Sequence, residues 1–141
     1  MQAPSTCGRV SRVPPEPMSL VWHLARTADW EDAQERGSYG ISTRGLTLDQ
    51  VGFIHCSYAH QVEAVARLFY PDEAAPLTLL GIDMASLAAA GIEVRAEPGD
   101  PAHADGARFP HVYAAIPVRA VREAHAARVV DGELVAPTWE P

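Results

Sequence analysis

In Gly52-Phe53-Ile54-His55-Cys56-Ser57, a short apolar segment carries side chains that are capable of chemistry. The segment is typical of a β-strand, in which successive side chains point to opposite faces of the sheet. The alternation puts His55 and Ser57 on one face with Phe53, and it puts Ile54 and Cys56 on the other. We therefore expect Cys56 to pack in the core as a small apolar residue, while His55 and Ser57 face a cleft.

Two further segments repeat this pattern. In Phe109-Pro110-His111-Val112-Tyr113, His111 and Tyr113 share one strand face. In Leu20-Val21-Trp22-His23-Leu24, His23 lies opposite the apolar residues Leu20, Trp22 and Leu24. Three strands that each set a histidine opposite apolar residues predict a polar cleft over a packed core. A purely structural role, in which each histidine only satisfies backbone groups, stays open beside this interpretation.

The composition excludes several classes of protein. The chain has 141 residues, which suits one domain, and its net charge of −7 disfavours nucleic acid and anionic membranes as partners. It contains no lysine and no asparagine, which excludes a Schiff-base lysine and a phosphate-binding loop lysine. Its two cysteines are too few for a disulfide framework or a zinc ribbon. We find no secretory signal and no membrane-spanning run, so we expect a cytoplasmic protein.

The order of the predicted elements is that of an α+β protein. Residues 1–17 are rich in Pro, Ser and Arg without apolar periodicity, which predicts a disordered leader. Residues 18–141 are expected to form a single globular domain. We expect a curved mixed or antiparallel sheet that packs against two or three helices. Apolar patterns predict its strands over residues 20–25, 51–56, 77–82, 92–97, 109–116 and 121–130.

Capping and turn residues mark the ends of these elements. Thr27 and Ser57 are placed to cap helices, and Asp83 is placed to cap a further short one. The dipeptide Asp131-Gly132 predicts a hairpin turn. Residues 98–108 contain several Gly, Asp and Pro residues and predict a long mobile loop.

Ser42-Thr43-Arg44-Gly45 is a polar loop just before the His55 segment. In a chain without lysine, an arginine beside hydroxyl groups is a natural contact for an anion. We therefore expect Thr43 and Arg44 to bind a ligand phosphate, with a solvated surface arginine as the structural alternative. Glu97 ends a predicted strand and is either a carboxylate partner for the site or a solvated strand end.

A metal site is not expected, although three histidines are available. A protein-bound metal needs three or four converging ligands. His23, His55 and His111 lie far apart in the sequence, and none of them forms a His-x-His or His-x-x-x-His pair with another. The expected ligand is therefore a small molecule without a metal.

The histidine segments and the residues around them resemble a known family. It is the bacterial and plant family called "domain of unknown function 952", and the likeness extends over about residues 19–122. Ala114-Ala115 stands where the family usually has Gly-Pro, which would alter the rim of a pocket there. The matching residues are Val21-Trp22-His23, Trp30, Ala33, Tyr39, Ser42-Thr43-Arg44-Gly45, the segment from Val51 to Ser57, Gln61, Leu79-Leu80, Ile82-Asp83, Glu97, and the segment from Phe109 to Tyr113.

The resemblance implies a fold more than a function, because the activity of the family is not established. The family is similar to the ADP-ribosyltransferase superfamily, in which residues of two strands and often a late glutamate surround NAD. By that resemblance, His23 would contact the nicotinamide ribose and Ser57 would belong to the second-strand motif. Glu97 is the one late carboxylate that suits the remaining position.

Two function classes fit these residues. In the first, the chain binds NAD or another nucleotide or phosphate ligand and acts as a transferase or hydrolase on a small substrate. In the second, it is a non-catalytic sensor or binding module, since no obvious nucleophile is present. The sequence leaves the reaction and the oligomeric state open. The catalytic candidates are His23, His55, Glu97 and His111, and the ligand-binding candidates are Thr43, Arg44, Ser57 and Tyr113.

Overall fold

A computed structural model describes residues 19–99 and 106–141 of the chain. The leader predicted over residues 1–17 lies outside the described residues, as does the middle of the loop predicted over residues 98–108. The described helices are α1 (Thr27–Arg36), α2 (Leu48–Val51), α3 (Val62–Phe69) and α4 (Met84–Ala89), with 3-10 turns at Ala59–Gln61 and Val118–Ala120. The described strands are β1 (Leu20–Arg26), β2 (Ser38–Tyr39), β3 (Ile41–Thr43), β4 (Leu46–Thr47), β5 (Ile54–His55), β6 (Leu77–Asp83), β7 (Val94–Pro98), β8 (Arg108–Val112), β9 (Ile116–Pro117), β10 (Val121–Val130) and β11 (Glu133–Val135).

Two antiparallel sheets form the frame of a single α+β domain. The larger has the order β11-β10-β6-β1, and the smaller has the order β5-β8-β7. They are joined where Trp22 and Ser57 exchange two backbone hydrogen bonds, each of 2.7 Å. The result is a curled antiparallel sheet, which confirms the predicted fold class. The described residues form four α-helices, whereas two or three were predicted, and the helix that was not predicted is α2.

The larger sheet is packed on both faces, which explains the continuous apolar run of β6. Buried α1 residues cover one face of β1, and buried α3 residues cover the other. Glycine is needed at position 81 on β6, because a Cβ there would lie 2.8 Å from Cζ3 of Trp22 on the neighbouring strand β1. The buried apolar side chains form two core clusters. The first core cluster includes Val21, Ala25, Trp30, Ala33, Tyr39, Ile54, Cys56, Leu80 and Ile82. The second cluster includes Trp22, Leu24, Val62, Val65, Leu77, Leu79 and Trp139.

Local hydrogen bonds shift two of the predicted boundaries. Thr27 is the first residue of α1 rather than its cap, and its hydroxyl lies 2.9 Å from that of Thr78 on β6. Val51 ends a helix rather than beginning a strand, because Thr47 and Gln50 form a reciprocal capping box at the start of α2. The strand predicted over residues 51–56 is therefore only the two residues of β5.

The predicted cap at Ser57 is also wrong. The N–H of Ser57 donates to Trp22, so the chain is still extended at this point. The turn that leads into α3 begins two residues later, where Gln61 Oε1 accepts from the N–H of Tyr58 at 2.9 Å. By contrast, Asp83 does cap α4, since its Oδ1 accepts from the N–H of Ala85 at 3.2 Å.

The hairpin predicted at Asp131-Gly132 joins β10 to β11. Both residues have positive φ angles, 52° and 80°, as a tight turn between twisted strands requires. In the part of the chain that the structure describes, we find no helix that is long and apolar enough to cross a membrane.

Candidate functional site

Four of the predicted site residues come together where β5, β8 and β7 pair. His55 on β5 lies opposite His111 on β8, and Arg95 on β7 lies opposite His111 on the other side. Directly paired residues share a face of an antiparallel sheet, as do residues two apart on one strand. The register therefore places Glu97 with Arg95, and it places Tyr113 with His111. These five side chains form one cluster on this part of the smaller sheet.

One carboxylate oxygen of Glu97 joins His111 and Tyr113. Nδ1 of His111 lies 2.9 Å from Oε1 of Glu97, and the Tyr113 hydroxyl donates to the same oxygen. The hydrogen bond from Tyr113 and then that from His111 hold the pKa of Glu97 below its usual value. The contact with Glu97 in turn raises the pKa of Tyr113, so its hydroxyl stays protonated as a donor.

This contact fixes the tautomer of His111. A carboxylate only accepts hydrogen bonds, so Nδ1 carries a proton, and in the neutral tautomer with this proton the lone pair lies on Nε2. The Nε2 atom is buried and has no hydrogen-bond partner within residues 19–99 and 106–141. A carboxylate behind an imidazole orients the ring as a general base or as an acceptor for a ligand donor.

Aromatic and cationic side chains frame the cluster. The ring of Phe53 stacks on that of His111, with centroids 3.9 Å apart and planes 13° apart. The guanidinium of Arg95 lies 4.3 Å from the centroid of the Tyr113 ring, within cation–π distance. Glu93 accepts two hydrogen bonds from Arg95, of 2.9 and 3.0 Å, which hold the guanidinium in place.

An open cleft of ≈ 400 Å³ adjoins the cluster, a size that suits a small molecule. It offers a ligand both signs of charge, since the carboxylate of Glu97 and the guanidinium of Arg108 both line it. The Nη1 of Arg108 donates to the Ala96 carbonyl at 3.3 Å, which ties this guanidinium to β7. The lining residues are Phe53, Glu97, Pro98, Gly99, Arg108, His111 and Tyr113.

His55 lies behind the cleft among aromatic rings. Its centroid is 5.4 Å from that of His111 and 5.1 Å from that of Phe109. Burial, together with the neighbouring His111 and His23, lowers the pKa of His55 to about 4, so the ring is neutral near pH 7. Its Nε2 is a second buried atom without a hydrogen-bond partner among the described residues.

His23 is a core histidine rather than a residue of the open cleft. Its Nδ1 donates to the His55 carbonyl at 2.7 Å, and its Nε2 accepts from the Tyr39 hydroxyl at 3.0 Å. Burial lowers the pKa of His23 to about 4. The face of β1 that was expected to be polar is covered by α1, and His23 reaches the cleft only through the backbone of His55.

Ser57 and the loop arginine also lie outside the cleft. Ser57 is buried and lines a small cavity of ≈ 10 Å³ together with His23 and His55. Arg44 lies at a hairpin tip, where its guanidinium contacts Asp72 and Glu73 instead of facing the cleft. Its charge is balanced by these two carboxylates. Thr43 is half-buried beside it on β3.

Two further expectations concern the thiol of Cys56 and a metal site. Cys56 is buried in the first core cluster, and burial raises the pKa of its thiol, which disfavours a thiolate nucleophile. Within residues 19–99 and 106–141, no group of three His, Cys, Asp or Glu side chains is placed to hold a metal ion.

Comparison with protein families agrees with the sequence resemblance. The model of the family described as "Protein of unknown function (DUF952)" matches residues 24–124, which is more than half of the chain. The chain belongs to the DUF952 family. The matched region contains the whole cluster of His55, Glu97, His111 and Tyr113.

Solved structures of protein CC0527 from Caulobacter crescentus share the fold. The X-ray structure of protein CC0527 from Caulobacter crescentus is 27% identical, with a TM-score of 0.65, over 83% of this chain and 94% of that chain. The solution NMR structure of CC0527 is 23% identical, with a TM-score of 0.54, over 83% of this chain and 91% of that chain. No match was found among the curated proteins.

The candidate site of this DUF952 chain contains residues that the sequence analysis did not select. Arg95 was missed, although it lies two residues before Glu97 and alternation on β7 places both on one face. Arg108 was missed because it falls at the end of a predicted loop. Phe53 was assigned to the face of His55, but its stacking on His111 depends on how β5 and β8 pair.

Proposed function

We propose that this chain binds NAD or another nucleotide or phosphate-bearing small molecule in the cleft beside His111, and that it acts on this ligand as a transferase or hydrolase. The observation that carries the proposal is the double hydrogen bond to Glu97. Its Oε1 accepts from both His111 and Tyr113, which leaves Nε2 of His111 as a lone pair without a partner among the described residues.

The surroundings of the cleft support a ligand with a flat ring and an anionic group. Phe53 and Tyr113 present aromatic surface, on which a base or a nicotinamide ring can stack. Arg108 supplies a guanidinium that can contact a phosphate. In this proposal Arg108 replaces Arg44 as the phosphate contact in the cleft.

The proposed chemistry is proton transfer at His111. Its Nε2 would accept a proton from a water molecule or from a substrate hydroxyl, and the carboxylate of Glu97 would stabilise the resulting imidazolium. His55 and His23 would act indirectly, because each is neutral near pH 7 and lies behind the cleft wall. We further propose the ADP-ribosyltransferase relationship, since His23 of β1 contacts His55 of β5, and His55 lies beside His111, which contacts the late Glu97.

Calorimetric titration of NAD and of ADP-ribose, followed by a turnover assay with each, tests the proposal. We expect binding to the native chain and loss of turnover in His111→Gln. His125→Gln is the matched control, because His125 also contacts a glutamate, Glu123, at 2.8 Å but lies outside the cleft. Equal turnover in both variants, or no binding of either ligand to the native chain, would sink the proposal.

The enclosure of both histidine Nε2 atoms favours a second function. A ligand that stays in the open cleft would touch Tyr113 and Arg108 without reaching either buried atom. The chain would then be a non-catalytic binding module for the same class of ligand. Binding without consumption of NAD or ADP-ribose over many hours would select this second function.

A further inference from the structure

A second group of charges lies outside the histidine cleft, at the tip of the hairpin that joins β3 to β4. Nη1 of Arg44 lies 3.0 Å from Oδ1 of Asp72, and Nε of Arg44 lies 3.3 Å from Oε1 of Glu73. Nε of Arg26 lies 3.2 Å from the same oxygen of Glu73. Two guanidinium groups therefore converge on one carboxylate, and a second carboxylate contacts Arg44 from the outside.

The two carboxylates are held very differently. The side chain of Glu73 is 7% exposed, accepts hydrogen bonds from Arg26 and from the N–H of Ala75, and forms an ion pair with Arg44. The side chain of Asp72 is 81% exposed, and its contact within the described residues is the one with Arg44. Exposed ion pairs of this kind contribute little to stability, because water solvates both partners well. Asp72 is thus easy to displace, whereas Glu73 is part of the framework.

The guanidinium of Arg44 is held in place without Asp72. Its Nη1 also donates to the Phe69 carbonyl at 3.1 Å, and its Cζ lies 5.8 Å from the centroid of the Tyr70 ring. The backbone of Arg44 has a φ angle of 42°, a left-handed conformation that is unfavourable for a residue with a side chain. An arginine that is kept in a strained conformation and held by fixed neighbours is a pre-organised cation.

We propose that Arg44 and Arg26 form an anion-binding site for a phosphate group, and that the carboxylate of Asp72 occupies the place of that phosphate on Arg44. When Asp72 turns away, two guanidinium groups face one carboxylate, so the site carries a net positive charge. A phosphate bears more negative charge than Asp72 and can accept hydrogen bonds from Nη1 and Nη2 together. This inference goes beyond the proposed function, because no residue of the site lines the cleft at His111.

Titration of inorganic phosphate into the full chain at constant ionic strength, followed by NMR of the backbone amides and arginine Nε–H groups, tests this site. We expect Asp72→Asn to bind phosphate about two- to fivefold more tightly than the native chain, because it loses a competing charge. We expect Arg44→Gln to bind about tenfold or more weakly, because it loses a charge-assisted contact.

Glu133→Gln is the matched control for net charge. Glu133 pairs with Arg67 through contacts of 3.1 and 3.2 Å on the surface, so this variant loses the same charge without touching Arg44. Its phosphate affinity should equal that of the native chain. Equal gains in Asp72→Asn and Glu133→Gln would mean a general charge effect and would overturn the proposal.

Two further comparisons separate loss of the phosphate site from loss of the fold and from failure of the proposed function. Arg44→Lys keeps the charge but loses the planar pair of donors, so it should bind phosphate more weakly than the native chain with the fold intact. Native affinity in Arg44→Lys and Arg44→Gln would overturn the site. The amide and arginine signals that phosphate moves should lie at Arg44 and Arg26 rather than at His111 and Arg108, so failure of the proposed function and failure of this site are distinguishable.

Discussion

His23 and His111 are buried to a similar degree in adjoining parts of the curled sheet, yet their nitrogens are used differently. Both nitrogens of His23 have internal partners, the His55 carbonyl and the Tyr39 hydroxyl. In His111, Nδ1 contacts Glu97, while Nε2 has no partner within the described residues. The number of satisfied nitrogens, rather than burial, separates a structural histidine from a candidate site histidine, because native cores rarely leave polar atoms unpaired.

The largest expected effect is on stability at His23. Replacement by leucine leaves the buried Tyr39 hydroxyl and the His55 carbonyl without their partner, so we expect His23→Leu to lower the free energy of unfolding by about 2–4 kcal/mol. His111→Leu should lower it by only about 1 kcal/mol, since Glu97 can turn to water. Urea denaturation measures both variants. A larger loss in His111→Leu than in His23→Leu would reverse the roles assigned here.

The pH dependence of stability should also follow His23. Its folded pKa of about 4 lies below the ordinary histidine value of 6.5, so the unfolded chain binds more protons between these two pH values. The stabilising contribution is complete above pH 6.5 and is lost as the pH falls to about 4, by up to about 3 kcal/mol.

Urea denaturation at several pH values between 7 and 4 checks this expectation. The slope of the unfolding free energy against pH should be shallower in His23→Leu than in the native chain. Part of the slope should persist in the variant, because burial also lowers the pKa of His55 to about 4. Identical slopes in the two proteins would show that His23 is not held neutral by burial.

A smaller effect on stability, but a specific one on the site, is expected for Glu97. Without its carboxylate, Nδ1 of His111 no longer has a partner that can only accept, so the ring loses its fixed tautomer. Imidazole ¹⁵N shifts should show Nε2 of His111 as unprotonated in the native chain and as a tautomer mixture in Glu97→Gln. Glu123→Gln should leave the His111 shifts unchanged. A native tautomer in Glu97→Gln would remove the basis for His111 as a base.

The smallest effect on stability is expected for the replacement of Arg95. Its guanidinium lies over Tyr113 but is exposed and paired with Glu93, so removal of the charge should change the melting temperature by less than about 3 °C. Arg95→Gln should nevertheless shift the Tyr113 ring resonances, because the cation lies over that ring. Unchanged resonances would mean that Arg95 does not position Tyr113.

Much of the fold could be predicted from apolar patterns. The run over residues 77–82 indicated a central strand, and β6 pairs on both sides. The boundaries that were wrong depend on side chains that bond to nearby backbone, such as the capping box of Thr47 and Gln50. Such local contacts compete with strand pairing in ways that a pattern of hydrophobicity does not record.

The candidate site was predicted in part. Alternation placed His111 with Tyr113, and Glu97 was named as a carboxylate partner, but their meeting required the register of β7 on β8. Arg44 was selected because it is a cation beside hydroxyl groups. Its partners, Asp72 and Glu73, are 28 or more residues away in the chain, so local sequence could not show that its charge is balanced.

The sequence by itself determined the α+β class, the family, and which faces of the strands carry polar groups, because these follow from residue type and from the two-residue period of a strand. Only the tertiary structure decided that both nitrogens of His23 have internal partners, while His111 lies beside an open cleft that Glu97 also lines. The physical reason is that a polar atom becomes structural or reactive according to the partners that distant segments bring to it.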